Sequence, residues 1–86
     1  MNSIDHFKRQ GTLLEGLIRG KGYSIYSFAI KLGYAKSGLY DIVCGKRSIL
    51  SLESFTLIKM ASLLDYKSID EFLHDLSIEL FKWINI

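Results

Sequence analysis

Residues 21–47 read KGYSIYSFAIKLGYAKSGLYDIVCGKR, and this stretch decides the fold. Ile25, Phe28, Ala29 and Leu32 recur at i, i+3, i+4 and i+7, the spacing of one helix face. Ser24 stands where an N-cap is wanted, and Gly33 where a left-handed stop is wanted. After Gly33-Tyr34-Ala35 a second short helix runs from about Lys36 to Cys44, and Gly45 stops it. Leu39, Ile42 and Val43 make its apolar face, while Lys36, Ser37, Tyr40 and Asp41 lie on the other side. A turn this tight makes the two helices cross steeply. The second then lies on the first with its polar face outward, a shape that fits a DNA major groove.

Outward from this centre the punctuation remains glycine and serine. The stripe Leu13, Leu14, Leu17, Ile18 gives a helix ahead of it that ends at Gly20 and Gly22. That helix starts either at Thr12, where Thr12-Leu13-Leu14-Glu15 has capping-box spacing, or near Ile4. In the first case residues 1–10 form an arm or a separate turn. A fourth helix is expected from near Ser51 to near Leu64. It carries one stripe of Leu57, Met60, Ala61 and Leu64 and a second of Leu52, Phe55 and Leu63, so it belongs in the middle of the domain. A fifth is expected over 69–84. It opens on the capping box Ser68-Ile69-Asp70-Glu71 and keeps helical spacing through Phe72, Leu73, Leu76, Leu80, Trp83 and Ile84. No stretch alternates long enough to read as a strand. The expectation is one all-α domain over 1–86 with five helices, its central pair at 24–45.

The chain of 86 residues has 49% hydrophobic and 23% charged residues, a globular composition for one small domain. It has no proline and a single cysteine, Cys44, which excludes an internal disulfide and agrees with a reducing, cytoplasmic setting. No signal peptide and no run near the ~20 apolar residues of a membrane span is present, so no membrane association is expected. The net charge of +2 is unevenly placed: residues 1–50 carry +5 and residues 51–86 carry −3. A basic N-terminal half suits a polyanion-binding surface. His6, His74 and Cys44 have no metal-ligand spacing, and Asp70 and Glu71 are accounted for by helix capping. No nucleophile–base set and no Gly-rich phosphate loop can be assembled, so neither catalysis, nor a metal, nor a cofactor is expected.

The ordered set of residues resembles the helix-turn-helix family of phage repressors and Cro proteins, also called the Xre family. Lys21-Gly22 with Ser24 stands where that family has its glycine and N-cap. Phe28-Ala29 stands for its Leu-Ala pair, Gly33 for its turn glycine, and Leu39 and Ile42 for the packed positions of its recognition helix. Gly45-Lys46-Arg47 resembles its closing Gly-Lys-Arg. Leu57-Ile58-Lys59-Met60-Ala61 resembles its fourth helix and Ser68-Ile69-Asp70-Glu71-Phe72 the start of its fifth. The likeness covers roughly residues 13–73. Ile25 departs from a frequent glutamine, Ala35 from the usual Ser or Thr cap, and Val43 from a common glutamate; the segment Ser48 to Thr56 is longer than usual.

The resemblance implies a compact five-helix, lambda-repressor-like domain that binds operator DNA as a dimer and acts as a repressor or other transcriptional regulator. Carried over by position, Lys36, Ser37 and Tyr40 would face base edges. Lys36 would donate to guanine O6 or N7. Asp41 would either accept from cytosine N4 or repel the backbone. Lys46 and Arg47 would take phosphates, with Lys31 a further candidate. Lys8 and Arg9 would join them as an arm if the N-terminus is extended. The plain alternative is that these are ordinary solvated charges and that Tyr40 is a half-buried surface aromatic.

Leu76, Leu80, Phe81, Trp83 and Ile84 exceed what so small a core needs, so the end of the fifth helix is expected to make a homodimer contact. Such a dimer would set two recognition helices about 34 Å apart. Otherwise these residues all pack inward. Two rival functions use the same scaffold. One is a protein-interaction module without DNA contact; the other is an antitoxin-type regulator that binds both DNA and a toxin.

Overall fold

With no proline to break a helix, this chain ends its helices by left-handed turns. The computed structural model describes residues 3–78. In them lie α1 (Ser3–Gly20), α2 (Ile25–Leu32), α3 (Lys36–Val43), α4 (Ser54–Leu63) and α5 (Ile69–Asp75), with a 3-10 turn at Ile49–Ser51 and no strand among the described residues. The all-α, five-helix expectation is met. Each helix stops the same way. A residue at positive φ follows the last turn: Gly22, Gly33, Gly45, Asp65 and Ser77. The next amide then reaches back to a carbonyl five residues earlier: Tyr23 to Ile18, Tyr34 to Ala29, Lys46 to Asp41, Tyr66 to Ala61 and Ile78 to Leu73, at 2.8–3.2 Å. This is the Schellman pattern, which satisfies carbonyls the helix would otherwise leave unpaired.

Serines cap the starts of α2 and α5. Ser24 Oγ accepts from the Ser27 amide at 3.0 Å and Ser27 Oγ accepts from the Ser24 amide at 2.9 Å, a capping box closed by serine in place of glutamate. Ser68 Oγ accepts from the Glu71 amide at 3.2 Å, one half of the box expected there.

Three boundaries differ from the sequence expectation. First, α1 begins at Ser3, so the alternative of an arm over residues 1–10 falls. Thr12 is no cap; its hydroxyl donates to the Lys8 carbonyl at 2.9 Å in mid-helix. The early turns of α1 are held against the end of α3. A methyl group on Gly11 would collide with the carbonyl oxygens of Val43 and Ile42, the latter at 2.5 Å, and one on Gly45 would lie 2.7 Å from Lys8 Cα. Lys8 therefore sits in a packed helix and is not part of a free arm.

Second, α4 begins at Ser54 and not near Ser51. Ser48 caps the 3-10 turn by accepting from the Leu50 amide at 3.1 Å, and extended backbone at Leu52 and Glu53 separates that turn from α4. The detour buries both Ile49 and Leu52. It also takes Leu52 out of the second stripe and leaves Phe55 74% exposed; Leu63 of that stripe is half-buried against the core, and the fully buried side runs through Leu57, Met60, Ala61 and the following Leu64.

Third, α5 stops at Asp75 and does not run on to 84. Ser77 at φ 62 reverses the chain, which lets Leu76 and Ile78 both return to the core. They join one cluster with Leu14, Ile18, Phe28, Leu39, Ile42, Met60 and Phe72. Among the described residues no buried polar or charged residue interrupts that cluster, and no helix is long and apolar enough to cross a membrane.

Two glycines of α1 should respond oppositely to the same change. Gly11→Ala forces backbone apart and should cost about 1–3 kcal/mol. Gly16 has nothing within 4 Å of an added Cβ, so Gly16→Ala should stabilise by about 0.5–1 kcal/mol through helix propensity. Urea denaturation midpoints of the two variants check both signs.

Candidate nucleic-acid interface

The eight residues of α3 divide into an inner and an outer face, with Gly38 and Asp41 between them. Leu39, Ile42 and Val43 are buried, Lys36, Ser37 and Tyr40 are exposed, and Asp41 is half-buried. The buried set holds the helix on α1 and α2, so the outward set is fixed in direction by packing. The turn ahead of α3 is closed by Tyr34, whose ring lies on Gly38; an added Cβ there would be 2.7 Å from Tyr34 Cε2. Ala35, the N-cap of α3, offers no side-chain hydrogen bond, and no acid stands in the first turn. Lys36 therefore begins α3 at the positive end of the helix dipole, with no carboxylate in that turn to offset it.

The loop after α3 is ordered from the same helix. The Asp41 carbonyl accepts from the amides of Lys46 at 2.8 Å and Arg47 at 3.3 Å. Arg47 Nη2 donates to Ser51 Oγ at 3.3 Å, and Ser51 Oγ donates to the Ser48 carbonyl at 2.7 Å. Lys46 and Arg47 thus stand exposed at the C-terminal end of α3 while Lys36 stands at its N-terminal end. Lys31 is exposed in the last turn of α2, and no hydrogen bond or ion pair among the described residues joins it to this group.

Two residues, one beside Lys36 and one at the α2–α3 turn, escaped the sequence reading. Tyr26, 49% exposed, places its ring centroid 4.2 Å from Lys36 Nζ. Lys59 Nζ lies 3.7 Å from where a Cβ on Gly33 would be, so this lysine of α4 reaches the α2–α3 turn. Tyr26 sits off the buried stripe of α2, which was the only signal available for it.

The expected dimer contact fares differently. Leu76 is wholly buried and is therefore unavailable to a second copy. Leu80, Phe81, Trp83 and Ile84 lie outside the described residues. Cys44, His6 and His74 are exposed, and no group of three or more His, Cys, Asp or Glu among the described residues could hold a metal. A shallow depression on α5 is lined by Tyr66, Asp70, Glu71, His74 and Asp75. In it the Tyr66 hydroxyl donates to Asp75 Oδ2 at 2.7 Å. Burial, then that hydrogen bond and the Asp75 charge, push the phenol up to about 12. No family model matches the chain, and no curated protein matches it significantly.

Supplying the missing cap should help α3: Ala35→Ser is expected to raise stability by about 1 kcal/mol in urea denaturation. Tyr66 should make stability pH-dependent at the alkaline end. Its pKa is higher folded than unfolded, so its contribution is intact up to the ordinary phenol value and is lost as pH rises toward about 12. The difference in denaturation midpoint between the parent and Tyr66→Phe should shrink over that window.

Proposed function

We propose that this protein is a sequence-specific, double-stranded-DNA-binding transcriptional regulator that lays the outer face of α3 in the major groove. The observation that carries this reading is the divided face of α3. Lys36, Ser37 and Tyr40 point outward from a helix anchored by Leu39, Ile42 and Val43, with Lys46 and Arg47 exposed at its end. Lys36 suits guanine O6 or N7, Ser37 accepts several base edges, and Tyr40 suits a base edge or a thymine methyl. Lys46 and Arg47 suit phosphates, with Lys31 at the end of α2 and Lys59 at the α2–α3 turn as further candidates; phosphate contacts set affinity and register but not sequence. The reading needs no cofactor and no catalytic step. Two copies on a two-fold site would turn two weak half-site contacts into one useful affinity.

A second reading has its own observation. Phe55 and Ile58 are 74% and 55% exposed and stand three residues apart on the outer side of α4. Apolar residues so placed suit a protein contact, with a second copy or with a different partner such as a toxin.

Fluorescence anisotropy decides between them. The probes are duplexes from the region upstream of the protein's own reading frame, beside a scrambled duplex, at two salt concentrations. The DNA reading expects a preference for the native duplex that falls steeply with salt. Lys36→Ala should reduce that preference about tenfold. Arg47→Ala should weaken both duplexes alike and flatten the salt dependence. Absence of binding at low salt overturns the DNA reading and leaves the protein-contact reading. That reading then predicts that Phe55→Ser abolishes self-association or partner capture while leaving the fold intact.

A further inference from the structure

A lysine at the first position of an exposed helix has a flexible four-carbon stem and would ordinarily sample many directions. Lys36 has neither a carboxylate in the first turn of α3 nor a capping side chain beside it. What it has is the face of Tyr26, 4.2 Å from its ammonium. Tyr26 projects from α2 next to the buried Ile25, and α2 packs directly on α3. Its ring has only two side-chain torsions and so makes a stiff platform. A ring attracts an ammonium through its quadrupole without neutralising it. The N–H groups turned away from the ring therefore keep both their charge and their freedom to donate. An acidic partner would have offset the charge and occupied a donor.

We propose that Tyr26 is a positioning residue that aims Lys36, so that a pair spanning α2 and α3 reads the O6/N7 edge of one guanine. This rests on the DNA-binding reading above and assigns to α2 a part in base selection, where α3 alone would otherwise supply it. The aromatic ring is the working part; the hydroxyl is not needed.

The test has one arm without DNA and one with it. In the free protein, the Lys36 ε-methylene protons should show an upfield ring-current shift by NMR. Tyr26→Phe should keep the shift and Tyr26→Leu should remove it, with circular dichroism confirming that both variants fold. Its absence from the parent protein overturns the pairing. With DNA, Tyr26→Leu should lower the preference for the native over the scrambled duplex by about threefold, the size expected of an exposed cation–π contact. Tyr26→Phe should restore it. In a Lys36→Ala background, Tyr26→Leu should change nothing further. Replacing the read guanine by 7-deazaguanine, which removes N7 and keeps O6, should reduce the effect of either variant. An undiminished Tyr26→Leu loss in the Lys36→Ala background, or no rescue by phenylalanine, overturns the positioning role. If the parent protein binds no duplex, the DNA reading and the guanine-reading role fail together. The ring-current arm still reports whether the Tyr26–Lys36 pair exists.

Discussion

A helix that ends on a left-handed residue folds its chain back over its own last turn, because the amide two residues beyond the last turn must meet a carbonyl five residues earlier. All five described helices end this way, at Gly22, Gly33, Gly45, Asp65 and Ser77. In a chain without proline this sets helix length, and helix length sets which side chains face inward. Successive residues on a helix are about 100° apart. Moving the stop at Gly33 by one residue would shift the entry of α3 and turn its buried and exposed sets against the rest of the core. The direction of Lys36, Ser37 and Tyr40 therefore depends on a backbone reversal that none of them touches.

The second constraint is the close approach of α1 to the end of α3. The hydrogen atoms of Gly11 are all that separates α1 from the carbonyls of Ile42 and Val43, and Gly45 meets Lys8 in the same way. These contacts explain why residues before Thr12 are helical. The capping-box spacing at Thr12 is a local pattern that a continuing helix also satisfies, with the hydroxyl turned back to the Lys8 carbonyl. The long α1 then backs the helix whose outer face is polar, and the uncapped N-terminus at Ala35 is braced by packing instead of by a hydrogen bond.

What was legible in the sequence follows the same physics. Ser24, Gly33 and Gly45 could be read because serine and glycine are the residues those positions favour. The stop of α5 could not, because Ser77 takes the left-handed turn in place of glycine and helical spacing continues past it in Leu80 and Ile84. The start of α4 was misplaced because Ser51 looks like a cap, whereas the 3-10 turn ahead of it is what buries Ile49 and Leu52. The outward set on α3 was legible from period alone, since Leu39, Ile42 and Val43 leave only one face open. Tyr26 and Lys59 were not. Their places beside Lys36 and Gly33 arise from contacts between helices, and periodicity within one helix carries no information about its neighbour.

The separation of faces on α3 also bears on how such a chain diverges. Exposed side chains that pack on nothing buried can be exchanged at little cost in stability, usually within about 0.5 kcal/mol. Gly11, Gly38 and Gly45 have no such latitude, because any larger residue meets backbone or an aromatic ring. Descendants of this sequence can therefore rewrite the surface that α3 presents while inheriting the frame that presents it, so the two would accumulate changes at different rates.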